Sequence, residues 1–423
     1  MFYIIFLFVL FYLVIIVKRA KQYKYNTKED YLYDLEKNFI QNINLNDKIH
    51  LTNDKYDTLF LQIKIKPSFF SYFIQPCITI NGVKHFFEYG AAGIRYVNFS
   101  HAGETTEIKG NISLQSKSAR LYGYKNNIDL ENDTILILAP HADDAELAAF
   151  GLYKSAKNVT IVTITAGESG VCNYCDLYKN NKEKSALKKG SLRTFDALTV
   201  PMLGNIPYTN SLTLGYFGSS LQKMAENPRQ AVKSKIDTIE NMEPFRKVSH
   251  AKVKLDNNVL PTYTSLLKDL NDLITQLNPN IIITPHSQID SHADHKQTTY
   301  AVRNILKRTH KKIKFLLYTN HLVKSEIYPL GDIHSAVTLP PNSKKFDFDS
   351  IYSFALDEEL QIDKLFALEA IHDLKDSTIQ ISLKKSLIHL KKMFMRVITG
   401  KDKSYFRRAV RANELFFISD KPL

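Results

Sequence analysis

The spacing of apolar residues predicts two kinds of folded structure along this chain. From about residue 50 to 128, short runs such as 59–65 alternate apolar and other side chains, the pattern of half-buried β-strands. From residue 129 onwards, continuous apolar or β-branched runs alternate with amphipathic segments such as 260–277. Continuous apolar runs suit parallel strands that are buried on both faces. The pattern therefore predicts a β-rich domain followed by an α/β domain.

The β-rich part, residues 50–128, is predicted to be a small β-sandwich-like domain. Asn81 and Gly82 stand between two β-prone runs, a strong signal for a tight hairpin turn. The preceding residues 21–49 are polar, rich in Lys and Asn and without clear periodicity, so they are predicted to be a linker. Because 50–128 contains no catalytic constellation, we expect it either to position a substrate or partner or to act as a spacer.

The second part, residues 129–423, is predicted to be a Rossmann-like open sheet that is mostly parallel. Its strand candidates are short runs separated by segments of helical periodicity, namely 134–138, 159–165, 281–283 and 315–318. In open α/β sheets, ligands bind beyond the carboxyl ends of the strands. Polar side chains that follow these runs are therefore the first candidates for a functional site.

The first seventeen residues contain no charged side chain, and Lys18 and Arg19 follow directly. A stretch of about 17 residues is at the short end of a transmembrane helix. A cleaved signal peptide is the alternative, but neither a basic start nor a small-residue cleavage site is present. Residues 1–20 are therefore predicted to be an uncleaved membrane anchor. Because basic residues follow this span and none precedes it, the rest of the chain is predicted to face the cytoplasm.

The composition adds a bias in charge. The 423 residues are 44 % hydrophobic and 23 % charged, with a formal net charge of +13. Such a charge suits nucleic acid, an anionic membrane surface or an anionic substrate. The usual nucleic-acid motifs are absent, so we expect no nucleic-acid partner and favour a membrane surface.

Cys172 and Cys175 form a C-x-x-C without a second pair, and two thiols in a surface loop are a simpler interpretation than a zinc site.

Two clusters of potential metal ligands follow two of the strand candidates. His141, Asp143 and Asp144 come directly after the first, and His292 and His295 come shortly after the third. His141 and Asp144 can reach one point across a strand-to-helix turn, and one imidazole from the second cluster would complete three N/O ligands. An open fourth position is what distinguishes a hydrolytic zinc site from a structural one. Asp143 would then be the general base that takes a proton from water.

Each cluster alone is weak evidence. An H-x-D-D sequence is more often surface chemistry or a helix N-cap than a functional site, and an isolated H-x-x-H is equally weak. Two such clusters at strand ends of one α/β domain, each containing His-Ala-Asp, are much harder to explain as structure alone.

These motifs resemble those of the PIG-L/LmbE-like family of zinc-dependent de-N-acetylases. The family's first motif, (A/P)-H-P-D-D-E, corresponds to residues 140–145, and its second, H-P-D-H, corresponds to residues 292–295. Supporting matches are 165–170 for T-x-G-E-x-G, Arg193 for the arginine of R-x-x-E and 414–416 for the terminal E-x-F. The resemblance covers about residues 129–420.

The resemblance implies that His141, Asp144 and His295 bind the metal and that Asp143 is the general base. His292 would stabilise the tetrahedral oxyanion or protonate the leaving amine. The expected cofactor is Zn²⁺ or another divalent transition metal.

The resemblance also implies two substrate-binding residues. Arg193 would contact the sugar or its phosphate, and Glu168 of the T-x-G-E-x-G match is the second candidate. The chain departs from the family pattern because both motif prolines are Ala, the motif glutamate is Ala145, and Asp196 replaces the glutamate of R-x-x-E. None of these departures removes a ligand or the base, so activity is still expected while substrate choice stays open.

The predicted function is hydrolysis of the N-acetyl group of an N-acetylglucosamine-type sugar, lipid-linked or part of a surface-glycan precursor, with release of acetate. One alternative is a deacetylase or amidase for a soluble small-molecule conjugate. A non-catalytic glycan-binding protein of the same fold is the other, and the intact Asp143 argues against it.

The predicted organisation is a membrane anchor (1–20), a linker (21–49), the β-rich domain (50–128) and a deacetylase domain (129–423). The oligomeric state is not predicted.

Overall fold

The computed structural model describes most of the chain in two compact units. The first unit comprises Met1–Asn127, His321–Ala355 and Arg411–Leu415, and the second comprises Ile128–Asn320, Leu356–Val410 and Phe416–Leu423. The C-x-x-C pair lies outside the described residues. The described residues are 2–20, 23–45, 49–50, 55–100, 105–170, 177–250, 252–307, 312–323, 325, 327–342, 344, 346–372, 383–399 and 407–419.

The first unit is built mainly from short antiparallel strands. Four of them form a sheet in the order β1-β9-β3-β6, three form a second sheet in the order β5-β4-β8, and β2 pairs with β7. The elements are α1 (Phe2–Ala20), β1 (Phe39–Asn44), β2 (Ile49–His50), β3 (Thr58–Ile65), β4 (Cys77–Ile80), β5 (Val83–Phe86), β6 (Gly93–Asn98), β7 (Thr105–Thr106), β8 (Ile108–Gly110), β9 (Ser118–Tyr124) and β15 (Ser350–Ala355).

The core of this unit follows from the alternation of side chains along the strands. In β3, Leu61, Ile63 and Ile65 are buried, whereas Lys64 between them is exposed. The same apolar cluster takes buried side chains from β4 as well, so it draws on both larger sheets. The predicted hairpin is confirmed, because β4 and β5 pair antiparallel across Asn81-Gly82, and both turn residues have positive φ.

The predicted membrane anchor is wrong. Residues Phe2–Ala20 form the helix α1, but its uncharged stretch ends at Lys18, short of the roughly 20 apolar residues that a spanning helix needs. Within the described parts of the chain, no helix is both long and apolar enough to cross a membrane. Tyr12 of α1 instead stacks on Phe69 and Phe73, with ring centroids 4.1 and 5.2 Å apart. The predicted single-span localisation and its orientation lose their basis, while the mixed α/β part of the predicted fold class holds.

The second unit contains a mostly parallel sheet. Its strand order is β12-β11-β10-β13-β14-β16, in which β16 runs antiparallel to β14 and the pairings from β12 to β14 are parallel. The strands are β10 (Thr134–Ala139), β11 (Asn158–Thr165), β12 (Ser211–Tyr216), β13 (Ile281–Pro285), β14 (Lys314–Tyr318) and β16 (Asn413–Ser419). The helices are α2 (Asp144–Ser155), α3 (Lys182–Thr199), α4 (Leu221–Glu226), α5 (Tyr263–Leu277), α6 (Ala293–Leu306), α7 (Glu358–Ala370) and α8 (Leu383–Thr399).

The order of the strands creates a crevice beside β10. The chain passes from β10 through α2 to β11 on one side, whereas β13 pairs with the other side of β10. At such a reversal of strand order, helices leave the sheet on opposite faces and a ligand can bind between the carboxyl ends. The loops after β10 and β13 carry the two predicted ligand clusters, so the fold brings those clusters to one edge of the sheet.

Candidate metal centre

The first cluster is shaped by the turn from β10 into α2. The backbone N–H of His141 donates to Oδ2 of Asp144 at 2.9 Å, which closes the turn and fixes that carboxylate. Asp144 is the first residue of α2 and is 1 % exposed, whereas the His141 side chain is 14 % exposed. A carboxylate buried to this degree is stable only when charged or hydrogen-bonding partners compensate for its lost hydration.

The second cluster lies at the start of α6. His292 is the N-cap of this helix, and its Nδ1 accepts a hydrogen bond from the backbone N–H of Asp294 at 3.2 Å. His295 follows in the first turn and is fully buried. The capping geometry therefore holds His292 at the helix end, while one helical turn directs His295 towards the loop after β10.

Three donor atoms of the two clusters converge. Oδ2 of Asp144 lies 3.2 Å from Nδ1 of His141 and 3.1 Å from Nε2 of His295, and the two ring nitrogens are 3.3 Å apart. In a tetrahedral zinc site with bonds of about 2.0–2.1 Å, ligand atoms are separated by about 3.3 Å. The three distances match one face of such a tetrahedron, so these residues fit a zinc-like ion.

The electrostatics of this group also favour a cation. Burial raises the pKa of the Asp144 carboxyl, but His295 and His141 outweigh it and hold the pKa well below its usual range. Burial lowers the pKa of His295, but Asp144 and Asp290 outweigh it and raise the pKa well above its usual range. Without a metal, protons on the imidazoles neutralise the buried carboxylates. A divalent cation supplies the same neutralisation and releases those protons.

His141, Asp144 and His295 are called the triad. Each of its two imidazoles has a buried carboxylate beside the ring nitrogen that does not belong to the converging group. Nε2 of His141 lies 3.2 Å from Oδ2 of Asp294, and Nδ1 of His295 lies 3.0 Å from Oδ2 of Asp290. Such partners fix the tautomer and orientation of metal-binding imidazoles. The sequence analysis did not assign a role to Asp290 or Asp294. Asp294 lies within the second motif and Asp290 two residues before it, and that proximity was the available signal.

Asp143 is held by an arginine rather than by the helix it caps. It is the N-cap of α2 but makes no capping hydrogen bond with its side chain. Its Oδ1 accepts a hydrogen bond from Nη2 of Arg193 on α3 at 3.0 Å, and the two side chains are 16 % and 8 % exposed. Gly167 allows this arrangement, because it has φ +58° and a Cβ there would lie 2.4 Å from Nε of Arg193. The structure thus joins two predicted site residues in one ion pair.

Glu168 is placed differently from Arg193. It is 2 % exposed, its Oε2 accepts the backbone N–H of Gly218 at 2.9 Å, and its Oε1 accepts the hydroxyl of Ser234 at 2.6 Å. Asp196, which replaces the family glutamate, is also buried and holds His372 through both the ring and the backbone N–H, at 2.6 and 3.0 Å. Each of these carboxylates connects separate segments of the second unit.

His292 is the remaining predicted residue, and it lies beside the triad. Its ring centroid is 4.7 Å from that of His141 and 4.9 Å from that of His295. Nitrogen atoms of these three rings lie within 4.8 Å of one another, so a three-histidine ligand set is a geometric alternative. Burial and the two neighbouring rings lower the pKa of His292 to about 4. Because Nδ1 accepts a backbone N–H, the neutral ring carries its proton on Nε2.

Comparison with known proteins agrees with the motifs. Residues 136–306 match the family model PIG-L, described as GlcNAc-PI de-N-acetylase. This match spans β10 to α6 and includes both clusters. The predicted resemblance to the PIG-L/LmbE-like family is confirmed over these residues. No curated protein sequence matches the chain.

Two solved structures illustrate a distant similarity in fold. The N,N'-diacetylchitobiose deacetylase of Pyrococcus horikoshii is 14 % identical, with 68 % of this chain and 84 % of that chain covered and a TM-score of 0.38. Teicoplanin deacetylase Orf2 is 13 % identical, with 67 % and 97 % covered and a TM-score of 0.34.

Proposed function

We propose that the chain is a metal-dependent de-N-acetylase that hydrolyses the N-acetyl group of an N-acetylglucosamine-type sugar and releases acetate. The observation that carries the proposal is the triad of donor atoms from His141, Asp144 and His295, 3.1–3.3 Å apart at the carboxyl edge of the sheet. The match of residues 136–306 to a family model described as GlcNAc-PI de-N-acetylase supports the same reaction.

The triad is the metal-binding part of the proposed site. Two imidazole nitrogens and one carboxylate oxygen suit Zn²⁺, and they suit other divalent transition metals as well. When bound, such an ion supplies Lewis acidity towards a carbonyl oxygen and a water molecule. Asp290 and Asp294 hold the two rings through their other nitrogens, and such contacts would keep the converging nitrogens available to an ion.

Asp143 is the proposed proton carrier. Its neighbour Asp144 is committed to the triad, whereas Asp143 is held by Arg193 and remains 16 % exposed. As a general base it takes a proton from the attacking water while the water oxygen bonds to the carbonyl carbon. When the carbon–nitrogen bond breaks, the same carboxyl group returns that proton to the leaving amine. The second proton of the attacking water then passes from the acetic acid to the amine. The products are acetate and the protonated amino sugar, so atoms and charges balance.

His292 is the proposed hydrogen-bond donor to the developing oxyanion. Because its Nδ1 accepts the backbone N–H of Asp294, its Nε2 carries the proton and is the donor nitrogen. A preorganised donor at a developing oxyanion contributes about 3–4 kcal/mol to transition-state stabilisation. Of the two roles predicted for His292, this contact supports the oxyanion role more than protonation of the amine.

The substrate contacts divide between two residues. Arg193 pairs with the partly exposed Asp143, and its guanidinium offers N–H donors to sugar hydroxyls and a positive charge to a phosphate. Glu168 has both oxygens hydrogen-bonded within the protein, to Gly218 and Ser234. Its contacts support a role in positioning the segment after β12. We therefore place Arg193 at the substrate and Glu168 behind it.

Acetate release tests this function directly. The purified full chain would be incubated with N-acetylglucosamine, with a lipid-linked N-acetylglucosamine and with an N-acetylated small-molecule conjugate that lacks sugar. We expect release from at least one of the sugars, loss of activity with a chelator and recovery with Zn²⁺. The Asp143→Asn variant controls for contaminating hydrolases. Release from the non-sugar conjugate alone would contradict the proposed substrate, and chelator-resistant release would contradict the metal.

A further inference from the structure

Asp290 lies at a junction of three segments of the second unit. It is fully buried, and its Oδ2 lies 3.0 Å from Nδ1 of His295. The same oxygen accepts the backbone N–H of Asn320 at 3.3 Å, and Oδ1 accepts the backbone N–H of His292 at 2.9 Å. One carboxylate therefore connects a ring of the triad, the N-cap of α6 and the segment after β14.

Asn320 continues this connection to the other cluster. It follows β14 and is 5 % exposed. Its side-chain Nδ2 donates to Oδ1 of Asp144 at 2.8 Å and approaches the backbone oxygen of Asp144 at 3.3 Å. Because Asn320 occupies Oδ1, the other oxygen of Asp144, Oδ2, is the one directed at His141 and His295.

We propose that Asp290 and Asn320 form an orienting bridge that sets the affinity of the metal centre. The proposal rests on the metal centre proposed above and names two positioning residues for it. Asp290 keeps the Nδ1 proton of His295 in place, so that Nε2 presents its lone pair to the metal. Asn320 holds Oδ1 of Asp144 in a hydrogen bond, so that Oδ2 is the oxygen left to act as the ligand. The bridge thus preorganises one ligand from each cluster, which reduces the ordering that metal binding would otherwise require.

The physical basis is the sensitivity of metal affinity to the partners of the ligands. A carboxylate on the distal nitrogen of an imidazole fixes the ring and increases its basicity, and loss of such a partner lowers metal affinity about 10–100-fold. Asp290→Asn keeps the shape of the side chain but removes its charge. Asn320→Leu keeps a similar volume but removes the donor to Asp144. Both changes leave every residue of the triad in place.

Asp269 provides a matched control. It is a buried carboxylate of the same unit, 1 % exposed, and its partners are Arg246 on both oxygens and the hydroxyl of Tyr216. Asp269→Asn therefore also removes a buried negative charge, but none of these partners belongs to the triad. A general loss of packing or stability would affect this variant as much as the bridge variants.

The experiment measures metal affinity and not activity. Zn²⁺ affinity of the full chain would be obtained by competition with a chromophoric chelator, and thermal unfolding of the metal-free proteins would report folding. We expect Asp290→Asn and Asn320→Leu each to weaken Zn²⁺ binding about 10–100-fold. We expect Asp269→Asn to lower the unfolding temperature without changing Zn²⁺ affinity. Substitution with Co²⁺ adds a visible spectrum, which should change in both bridge variants and not in the control.

Each outcome decides the proposal. Wild-type affinity in both bridge variants overturns the bridge while the metal centre stands. Equal weakening in Asp269→Asn overturns it as well, because the effect would then be one of general stability. If the wild-type chain binds no Zn²⁺ or Co²⁺, the proposed metal centre fails and the bridge fails with it. Should one bridge variant not fold, the other end of the bridge still gives the answer.

Discussion

Each unit buries a cluster of charged side chains, and the two clusters are composed differently. In the first unit, Arg95 is 1 % exposed and pairs with Glu88 at 3.2 Å. The guanidinium also donates to backbone carbonyl groups, and the hydroxyls of Tyr25 and Tyr31 donate to the other oxygen of Glu88. In this cluster the guanidinium of Arg95 and the carboxylate of Glu88 neutralise each other, and the remaining donor and acceptor atoms of the pair form hydrogen bonds.

The cluster of the second unit has an excess of acceptors. Three buried carboxylates, Asp144, Asp290 and Asp294, surround the imidazoles of His141 and His295. A carboxylate oxygen and two ring nitrogens converge in its centre, and each of these atoms can offer a lone pair. The cluster of the first unit contains instead the permanently charged guanidinium of Arg95. The difference teaches that burial of charge is not itself a sign of function. Convergence of lone pairs is the feature that calls for a cation.

The largest expected effect is loss of the metal when the triad is broken. We expect Asp144→Ala and His295→Ala to lose bound zinc and all measurable activity, because two ligands hold the ion far less well than three. The metal content of protein purified from zinc-containing medium, measured by mass spectrometry, checks this. His292→Ala should retain the metal and lose activity. Loss of metal in His292→Ala with retention in Asp144→Ala would identify the three-histidine set instead, because His295 belongs to both sets.

The next effect separates chemistry from metal binding. Asp143→Asn should keep the metal and the fold but lower the rate about 10²–10⁴-fold, the usual contribution of a positioned general base. The rate of acetate release and the metal content of the same sample give both quantities. A rate within a few-fold of wild type would show that another group moves the proton, and Glu168 would be the first to test.

A change in the charged cluster of the first unit, which contains Arg95 and Glu88, should affect stability and not zinc affinity. Arg95→Met leaves Glu88 buried without its cation, which costs about 3–5 kcal/mol in the free energy of unfolding. Urea unfolding followed by circular dichroism would measure it, since the chain contains no tryptophan. The double variant Arg95→Met/Glu88→Gln should recover part of the loss, because the unpaired charge is gone. Altered zinc affinity in either variant would contradict the distinction between the two clusters.

The sequence was informative where chemistry is local. The ligand clusters were visible because His141 to Asp144 and His292 to His295 each lie within four residues and follow apolar runs. The hairpin at Asn81-Gly82 was visible for the same reason, since the turn residues themselves dictate its geometry. The assignment of individual ligands and of Asp143 as base stays a prediction that the geometry supports and that the variants above test.

Other features depend on contacts that are distant along the chain. Asn320 meets Asp144 across 176 residues, and nothing in the residues around Asn320 announces that contact. The first unit takes in residues 321–355, which lie far along the chain from its β-rich segment, and no local sequence pattern predicts that grouping. The membrane anchor was mispredicted for the opposite reason. The first seventeen positions were accepted as a span at the short limit of length, whereas no helix among the described residues is both long and apolar enough to cross a membrane.

The smallest effect concerns the backbone at Ser219, which supports Asp294 in the charged cluster of the second unit. Ser219 has φ +59°, in the left-handed region, and its N–H donates to Oδ2 of Asp294 at 2.6 Å. Glycine adopts this conformation without the steric cost of a Cβ, although it loses more entropy on folding. We expect Ser219→Gly to raise the free energy of unfolding by about 0.5–1 kcal/mol.

The control for this change is a glycine that already has the same conformation. Gly167→Ala should be destabilising, because the left-handed φ is unfavourable for alanine and a Cβ would meet Nε of Arg193 at 2.4 Å. Urea unfolding of both variants gives the two signs. Zinc affinity should be unchanged in Ser219→Gly, since the backbone N–H that holds Asp294 remains. A weaker zinc affinity there would mean that the strained conformation itself orients Asp294, and the strain would then belong to the metal centre.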